Sequence, residues 1–526
     1  MLLVFFVAAG DPPPDLNEAH YLCRLKHYWS PDFCRGDLFL ESPEAHFTVV
    51  WLLGWLTRLV DLTTLAWIGR LLSWAVIAWG WVRIARRVAP YPGVSLLGAA
   101  LLVVGTEQTH FGGEWIIGGF EAKTLAYGAV LHALVAWLDR RWTLSLALLG
   151  GATALHALVG GWSLVALAFA WATQREGRPP LARLLPGLGL AAAIGAAGVL
   201  PPLAMNWNTP ADIVSEANQI YVFERIAHHL APLTKPGWWI ADRLGRHVGM
   251  LLLLAVLHRT LLRVGVLQRR DELQLLARFA WGAAAIAAAG LMVELALWNQ
   301  PALAAAILKY YWFRLSDIAA PLAGAMILMA GVGAGLASAS GGRRAASLGA
   351  RIGLIGVCAW GVGGHVVSRL DGAFAPADRK TPEPARWAEA CTWIRDNLPA
   401  DALLLTPRLG SSFKWRAERA EVVTWKDVPQ DARSMVEWRR RYRDVFLIGV
   451  WKSGKPRWTP SLASLGAERL RELGAAYGAT HVLSGTPRGD VPGKTRASLP
   501  VVRRFGPYTL YALPPPATPL DADRSP

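Results

Sequence analysis

Ten stretches of mostly apolar residues divide the first 369 positions, at roughly 62–82, 93–105, 119–138, 142–155, 158–173, 184–204, 247–262, 279–298, 317–338 and 352–368. A helix crossing a bilayer needs about 20 such residues, fewer where its neighbours shield it. The run 142–173 is too long for one crossing and is interrupted near His156 and Gly160-Gly161, which predicts two short, tightly connected helices. Arginine falls in alternate loops between these stretches: Arg83, Arg86, Arg87, Arg140, Arg141, Arg175, Arg178, Arg183, Arg259, Arg263, Arg269, Arg270, Arg278, Arg343, Arg344 and Arg351. Only Asp139, Glu176, Asp271 and Glu272 oppose them there. The positive-inside rule makes those loops cytoplasmic. Loops 11–61, 106–118, 206–246 and 299–316, and the tail after Arg369, then face outward, on the extracytoplasmic side of a bacterial inner membrane.

Composition agrees. Of 526 residues, 53% are hydrophobic and 17% charged, against about 25% charged in an ordinary soluble domain. A disordered chain, a coiled coil and a disulfide-rich secreted module are thereby excluded. The formal charge of +16 is shared evenly: residues 1–369 hold 29 Lys/Arg and 21 Asp/Glu, residues 370–526 hold 25 and 17. Sixteen of the 29 cations in the first part are explained by sidedness, which argues against nucleic acid as a partner. The expected fold is a polytopic α-helical membrane domain of about 10–11 spans over 1–369. A linker over 370–384 and a small extracytoplasmic α/β domain over 385–526 follow. Met1–Gly10 reads as the outer half of a first span whose start lies upstream, or as a short re-entrant segment. Cys23 and Cys34 share the first outer loop and fit either a disulfide or two unpaired small hydrophobes.

The first outer loop carries the densest chemistry. After Pro12-Pro13-Pro14, Asn17-Glu18-Ala19-His20-Tyr21 opens a helix that Asp15 or Asn17 can cap. A second acidic group, Asp37, Glu41 and Glu44, precedes an amphipathic stretch, Phe47 to Leu59, suited to the membrane interface. Carboxylates held at a membrane surface can accept a proton from an attacking hydroxyl, and a pair can hold a divalent cation, Mg or Mn, against phosphate oxygens. Solvated loop acids are the plainer alternative for any one of them. In the second loop Glu121 and Lys123 stand at the mouth of a span, where charge needs a partner. In the third, Arg225 beside His228 and His229 suits a phosphate better than a metal, because adjacent helical side chains diverge. In the fourth, Lys309, Arg314 and Asp317 enter the membrane among Tyr310, Tyr311 and Trp312, and Arg314 with Asp317 has ion-pair spacing.

An acidic pair ahead of a Tyr-bearing helix, then an acid-x-Pro element before an interfacial helix, resembles the GT-C glycosyltransferases, among them the aminoarabinose and protein O-mannosyl transferases. Their pattern is roughly D-E-x-x-Y and then E-x-P; here Asn17-Glu18-Ala19-His20-Tyr21 and Glu41-Ser42-Pro43 occupy those places. A closer likeness is to uncharacterised bacterial multi-spanning proteins with N-E-x-H-Y-L near the start. The departure is Asn17, which passes the base to Glu18, Asp15 or Asp11. The resemblance implies an inverting transfer of a sugar from a polyprenyl-linked donor, lying among membrane lipids, to a hydroxyl on a lipid, glycan or protein. Glu18 would be the base with Asp15 as substitute; Glu41, Asp37 and His20 would orient the acceptor or an ion. Arg314, then Arg225, Lys309 and His228, would hold the donor phosphate. Asn17, Tyr21, Glu121, Lys123 and Asp317 would line the same cavity. A flippase of lipid-linked glycans and a non-catalytic envelope scaffold are the rival readings; near-absence of charge at mid-span disfavours the first.

The tail predicts helices over Arg386–Asn397 and Ala467–Tyr477, strands at Ala402–Thr406, Glu421–Thr424 and Thr480–Leu483, and a hairpin over Leu499–Leu513 about Gly506-Pro507. No phosphate loop, dinucleotide fingerprint or Cys/His metal spacing is present. Its basic run, Glu437 to Arg443, reads either as a solvated helix face or as a contact for acceptor, lipid phosphate or partner.

Overall fold

The computed structural model describes residues 1–90, 93–263, 271–336, 341–370, 374–486 and 497–514. All ten apolar stretches are helical: Leu62–Val88, Val94–Thr109, Ala122–Leu138, Trp142–Leu155, Ala157–Thr173, Leu181–Ala204, Gly237–Arg263, Asp271–Ala296, Arg314–Leu336 and Gly341–Leu370. Among the described residues five helices are long and apolar enough to cross a membrane: Leu62–Val88, Leu181–Ala204, Asp271–Ala296, and the apolar parts Arg314–Gly335 and Arg344–Leu370. Trp142–Leu155, with 14 residues, rises only about 21 Å, short of the ~30 Å hydrocarbon layer. The protein is therefore a mostly helical, polytopic membrane protein with a small C-terminal sheet region. Arg269 and Arg270, counted above among the inner-loop arginines, lie outside the described residues.

The chain divides into two compact units. The first comprises Met1–Gly10, Ala45–Val49 and Trp67–Ala373; the second comprises Asp11–Glu44, Val50–Ala66 and Phe374–Pro526. This division departs from the sequence boundary at 369–385, because most of the first outer loop packs with the C-terminal residues.

In the first unit the run 142–173 breaks at His156, whose extended backbone (φ −150°, ψ 100°) ends one helix and whose imidazole accepts the Val159 N–H at 3.3 Å to cap the next. Helix Leu181–Ala204 exposes Leu185, Leu200 and Leu203 and buries Gly187, Ala191, Gly195 and Gly198 along one face. That face meets helix Trp142–Leu155 at backbone distance. A Cβ on Gly198 would stand 2.2 Å from the Thr153 carbonyl oxygen, and one on Gly150 would stand 2.7 Å from Ala191 Cα. Small residues thus let two helices approach where apolar burial supplies no drive, lipid being as apolar as the partner helix.

In the second unit, strands β1 (Leu403–Leu405), β2 (Ala420–Glu421), β5 (His481–Gly485), β6 (Val501–Phe505) and β7 (Tyr508–Ala512) form one sheet; β3 (Leu447–Val450) and β4 (Pro456–Trp458) form a separate ribbon. The five-stranded order is β2-β1-β5-β7-β6, parallel from β2 through β5 and antiparallel beyond. Helix Pro384–Asn397 lays Trp387, Cys391 and Ile394 on it, and these are wholly buried with Leu404, Leu483, Tyr508 and Leu510. The predicted hairpin and both predicted helices are present. The predicted strand 421–424 is present only at its start, since the ladder ends with the Val422 N–H bond to the Leu404 carbonyl and Val423 and Thr424 leave it.

Candidate functional site

Three loops that the sequence places on one side, 106–118, 206–246 and 299–316, meet in the first unit. His229 Nδ1 donates to the Gly112 carbonyl at 2.6 Å, Tyr221 and Tyr311 share a hydroxyl hydrogen bond, and Lys309 Nζ donates to Asn218 Oδ1 at 3.2 Å. Gly113 sits at φ +71°, and a Cβ there would stand 2.4 Å from the His229 ring, so glycine is what lets the imidazole close on this turn. Tyr221 and Arg225 belong to a π-helical turn, Ile220–Arg225, a geometry concentrated at functional sites.

Buried charge gathers where the loops meet. Lys123 Nζ lies 2.6 Å from Glu114 Oε1, 3.7 Å from Glu121 Oε2, and 3.8 Å above the Trp115 ring. Arg314 Nε lies 3.7 Å from the other Glu114 oxygen, and its guanidinium sits 3.8 Å above the Tyr311 ring, with a fifth of the side chain exposed. Burial alone would push the Glu114 carboxyl up; Lys123 and Arg314 outweigh it and hold the group below its ordinary value. Asp317 is not the partner of Arg314 that its spacing suggested. Its carboxylate accepts the backbone N–H groups of Phe111 (2.7 Å) and Glu114 (3.1 Å), pinning the loop that carries Glu114. Burial, with Lys235, Arg225 and Arg314 nearby, lowers His228 to about 4, and burial with Arg314 lowers His229 well below 6.5. Both imidazoles are neutral at physiological pH, so cationic charge at this end of the bundle comes from arginine and lysine.

The acids of the first loop belong to the second unit. Glu18 is buried, and its Oε2 accepts the Asp15 N–H at 2.7 Å. The Asn17 side chain does not cap the helix Glu18–Trp29. Asp15 Oδ1 accepts from Leu16 N–H, Asn17 Oδ1 accepts from Lys426, and the carbonyls of Asp15 and Asn17 take the first helical N–H groups. Tyr21 stacks edge-on against His20. Glu41 accepts the Gly36 N–H. Glu44 pairs with Arg24.

Asp37 has a more specific setting. Lys414 Nζ, buried, contacts Asp37 (3.2 Å), Glu421 (2.7 Å) and Asp427, and His20 Nδ1 bonds Asp427 at 2.8 Å. Burial works against ionisation of Asp427, and Lys414 with His20 overcomes it, holding the group below its ordinary range. Burial raises Glu421 to about 7 in spite of Lys414, and lowers His20 to about 4 in spite of Asp427. Asp37 does not fit a divalent cation: Oδ1 caps Leu40, and Oδ2 faces the Lys414 ammonium and the Glu421 N–H. Among the described residues no cluster of three or more His, Cys, Asp or Glu could hold a metal ion. Cys23 and Cys34 are both free and buried.

Lys414, Glu421 and Asp427 escape sequence reasoning. The one trace of them is a lysine inside an otherwise apolar-aromatic stretch, Phe413-Lys414-Trp415. The basic run sits on helix Ala432–Phe446, where Glu437 pairs with Arg440 and Arg441 while Trp438 and Tyr442 are buried.

Residues 385–445 match a family described as a domain of unknown function, DUF6798. No curated protein matches the chain. Among solved structures, the chain is similar to ArnT from Cupriavidus metallidurans in its apo state, at 15% identity and a TM-score of 0.48, covering 97% of this chain and 96% of that one.

Proposed function

We propose that this protein is a GT-C-type glycosyltransferase that moves a sugar from a polyprenyl-phosphate-linked donor to an acceptor hydroxyl at the outer face of the membrane. The observation that carries the proposal is Arg314, a partly exposed guanidinium fixed between Glu114 and the face of Tyr311 where three loops meet. A cation already held in place stabilises charge on a departing phosphate without reorganising as the charge develops. Lys309 and Arg225 supply further positive charge on the same loops.

In the reaction proposed, the acceptor oxygen bonds to the anomeric carbon as the carbon–oxygen bond to the phosphate breaks. The phosphate leaves with the electron pair, and configuration inverts. The acceptor proton passes to Glu18, whose position in the N-E-x-H-Y motif supports this role. No step runs through a metal ion.

Purified protein in nanodiscs, given a labelled polyprenyl-phosphate sugar and an acceptor mixture, should release labelled product. Arg314→Gln should lower turnover by about a hundredfold, the scale seen when one fixed donor to a developing anion is removed. Glu18→Gln should abolish transfer with the thermal melt unchanged. Transport of the intact donor without cleavage would replace the enzyme by a translocator, and undiminished transfer by both variants would remove the residue assignments.

A further inference from the structure

The second unit carries a separate cavity that the proposed transfer does not use. Its volume is about 210 Å³, and it lies at the ends of β1 and β5, between Pro407–Gly410, which follows β1, and Gly485-Thr486, where β5 ends. These two strands are parallel neighbours. From β1 the chain turns to β2 on one side; from β5 it goes on to β6 and β7 on the other. The order of the sheet reverses between them. In open α/β sheets such a reversal leaves a crevice at the carboxyl ends of the strands, because the two following connections diverge to opposite sides.

The lining is cationic and hydroxyl-bearing. Lys380 and Arg408 contribute charge; Thr381, Thr459, Ser461 and Thr486 contribute side-chain hydroxyls; among the described residues no Asp or Glu lines the cavity. Among the described residues Arg408 has no carboxylate partner: its guanidinium donates to the Tyr442 hydroxyl at 3.0 Å and stands 5.8 Å from the Trp458 ring centre. Three of these hydroxyls are fixed by hydrogen bonds, Thr381 Oγ1 donating to the Asp378 carbonyl at 2.6 Å. Ser461 Oγ bonds Ser484 Oγ at 2.8 Å, and Thr459 Oγ1 donates to the Ser461 carbonyl at 2.7 Å. A guanidinium held by a phenol, with its charge uncompensated, is poised for a phosphate or carboxylate oxygen. At ~30 Å³ per water the space equals about seven waters, room for one sugar ring or a small ester and not for an oligosaccharide.

We propose that this cavity binds a small phosphomonoester, with Arg408 and Lys380 on the phosphate and the Thr/Ser rim on the remainder. The site is distinct from the Arg314 cluster and stands or falls apart from it.

Titration of the full-length protein in nanodiscs by calorimetry tests this with three probes: inorganic phosphate, a hexose 1-phosphate, and a prenyl phosphate supplied in the disc. Saturable binding of one of them identifies free, sugar-borne or lipid-borne phosphate as the source. Lys380→Glu, at an exposed position, should weaken that binding by about tenfold or more, and Arg408→Gln by at least as much, as expected for lost charge-assisted hydrogen bonds. The unphosphorylated hexose should not bind. Absence of saturable binding by all three probes, or binding unchanged in Lys380→Glu with its melt intact, overturns the proposal.

Discussion

Replacing Lys414 by Met removes the ammonium that contacts Asp37, Glu421 and Asp427 while nearly keeping its length. At ~3 Å and an effective dielectric near 20, each ion contact is worth about 5 kcal/mol in Coulomb terms. The three do not add, since the carboxylates also repel one another and can take up protons. Glu421, with its midpoint at about 7, does so near neutrality at almost no cost, leaving Asp37 and Asp427 to lose their counter-ion. The net cost is on the order of 3–5 kcal/mol, the usual result of stripping one partner from a buried ion pair. In a unit of about 200 residues that lowers the melting temperature by roughly 10 °C.

A thiol-reactive dye reads the effect directly. Cys23, Cys34 and Cys391 are buried in the second unit, so a Cys358→Ser background confines the signal to it. The pH dependence has a definite sign. In the wild type the folded value of Glu421 stands above its ordinary 4.5, so the stability tied to that proton is full below pH 4.5 and is lost as the pH rises through 7. Asp427, held low, contributes stability above its ordinary 3.8, lost as the pH falls below that. Without Lys414, protonation of the remaining acids becomes favourable at higher pH, so the variant's melting temperature should climb between pH 8 and 6 more steeply than the wild type's. A variant that melts within 2 °C of wild type at pH 7.5 (roughly 1 kcal/mol or less), with a parallel pH profile, would refute the reasoning.

Three further outcomes are expected. Gly198→Ala should destabilise the first unit by about 3 kcal/mol through overpacking on Thr153, whereas Gly161→Ala, whose Cβ meets nothing within 4 Å, should melt as wild type, both read by dye labelling of Cys358, the cysteine of that unit, with the other three replaced by Ser. Gly113→Ala combines a positive φ with a clash on His229; calorimetry should show donor binding weakened by about tenfold, the equivalent of ~1.4 kcal/mol. His228 and His229 have folded values below 6.5, so the stability of their neutral forms is present above pH 6.5 and is lost as the pH falls through their lowered values, about 4 for His228. Replacing both by Gln should flatten the acid limb of the first unit's melting curve.

The apolar helices were readable because each is stated locally. Hydropathy over some 15–20 residues located all ten, and the break in 142–173 followed from a polar residue and two glycines in one window. The hairpin at Gly506-Pro507 was equally local; Gly506 does adopt a positive φ of 55°. Asp37 shows where such reading stops. Its neighbours describe a loop acid ahead of an amphipathic helix, and nothing nearby announces Lys414. Arg314 and Asp317 fail in the same way: spacing made them a pair, yet Asp317 holds the backbone of Phe111 and Glu114 while Arg314 faces Glu114. Spacing measures who can touch along one helix, and backbone groups from another segment made the stronger offer to a buried carboxylate.

Sequence alone therefore determined which segments are apolar helices and where the hairpin, two helices and two strands of the C-terminal region run, because burial in lipid or in a small core acts on each segment's own pattern; the ribbon β3–β4 and helix Ala432–Phe446 were not among them. Tertiary structure decided which charges share a partner. The His20–Asp427 contact joins residues 407 positions apart, and that choice depends on the cost of leaving either group buried without the other, a quantity that exists only once the fold has removed the water.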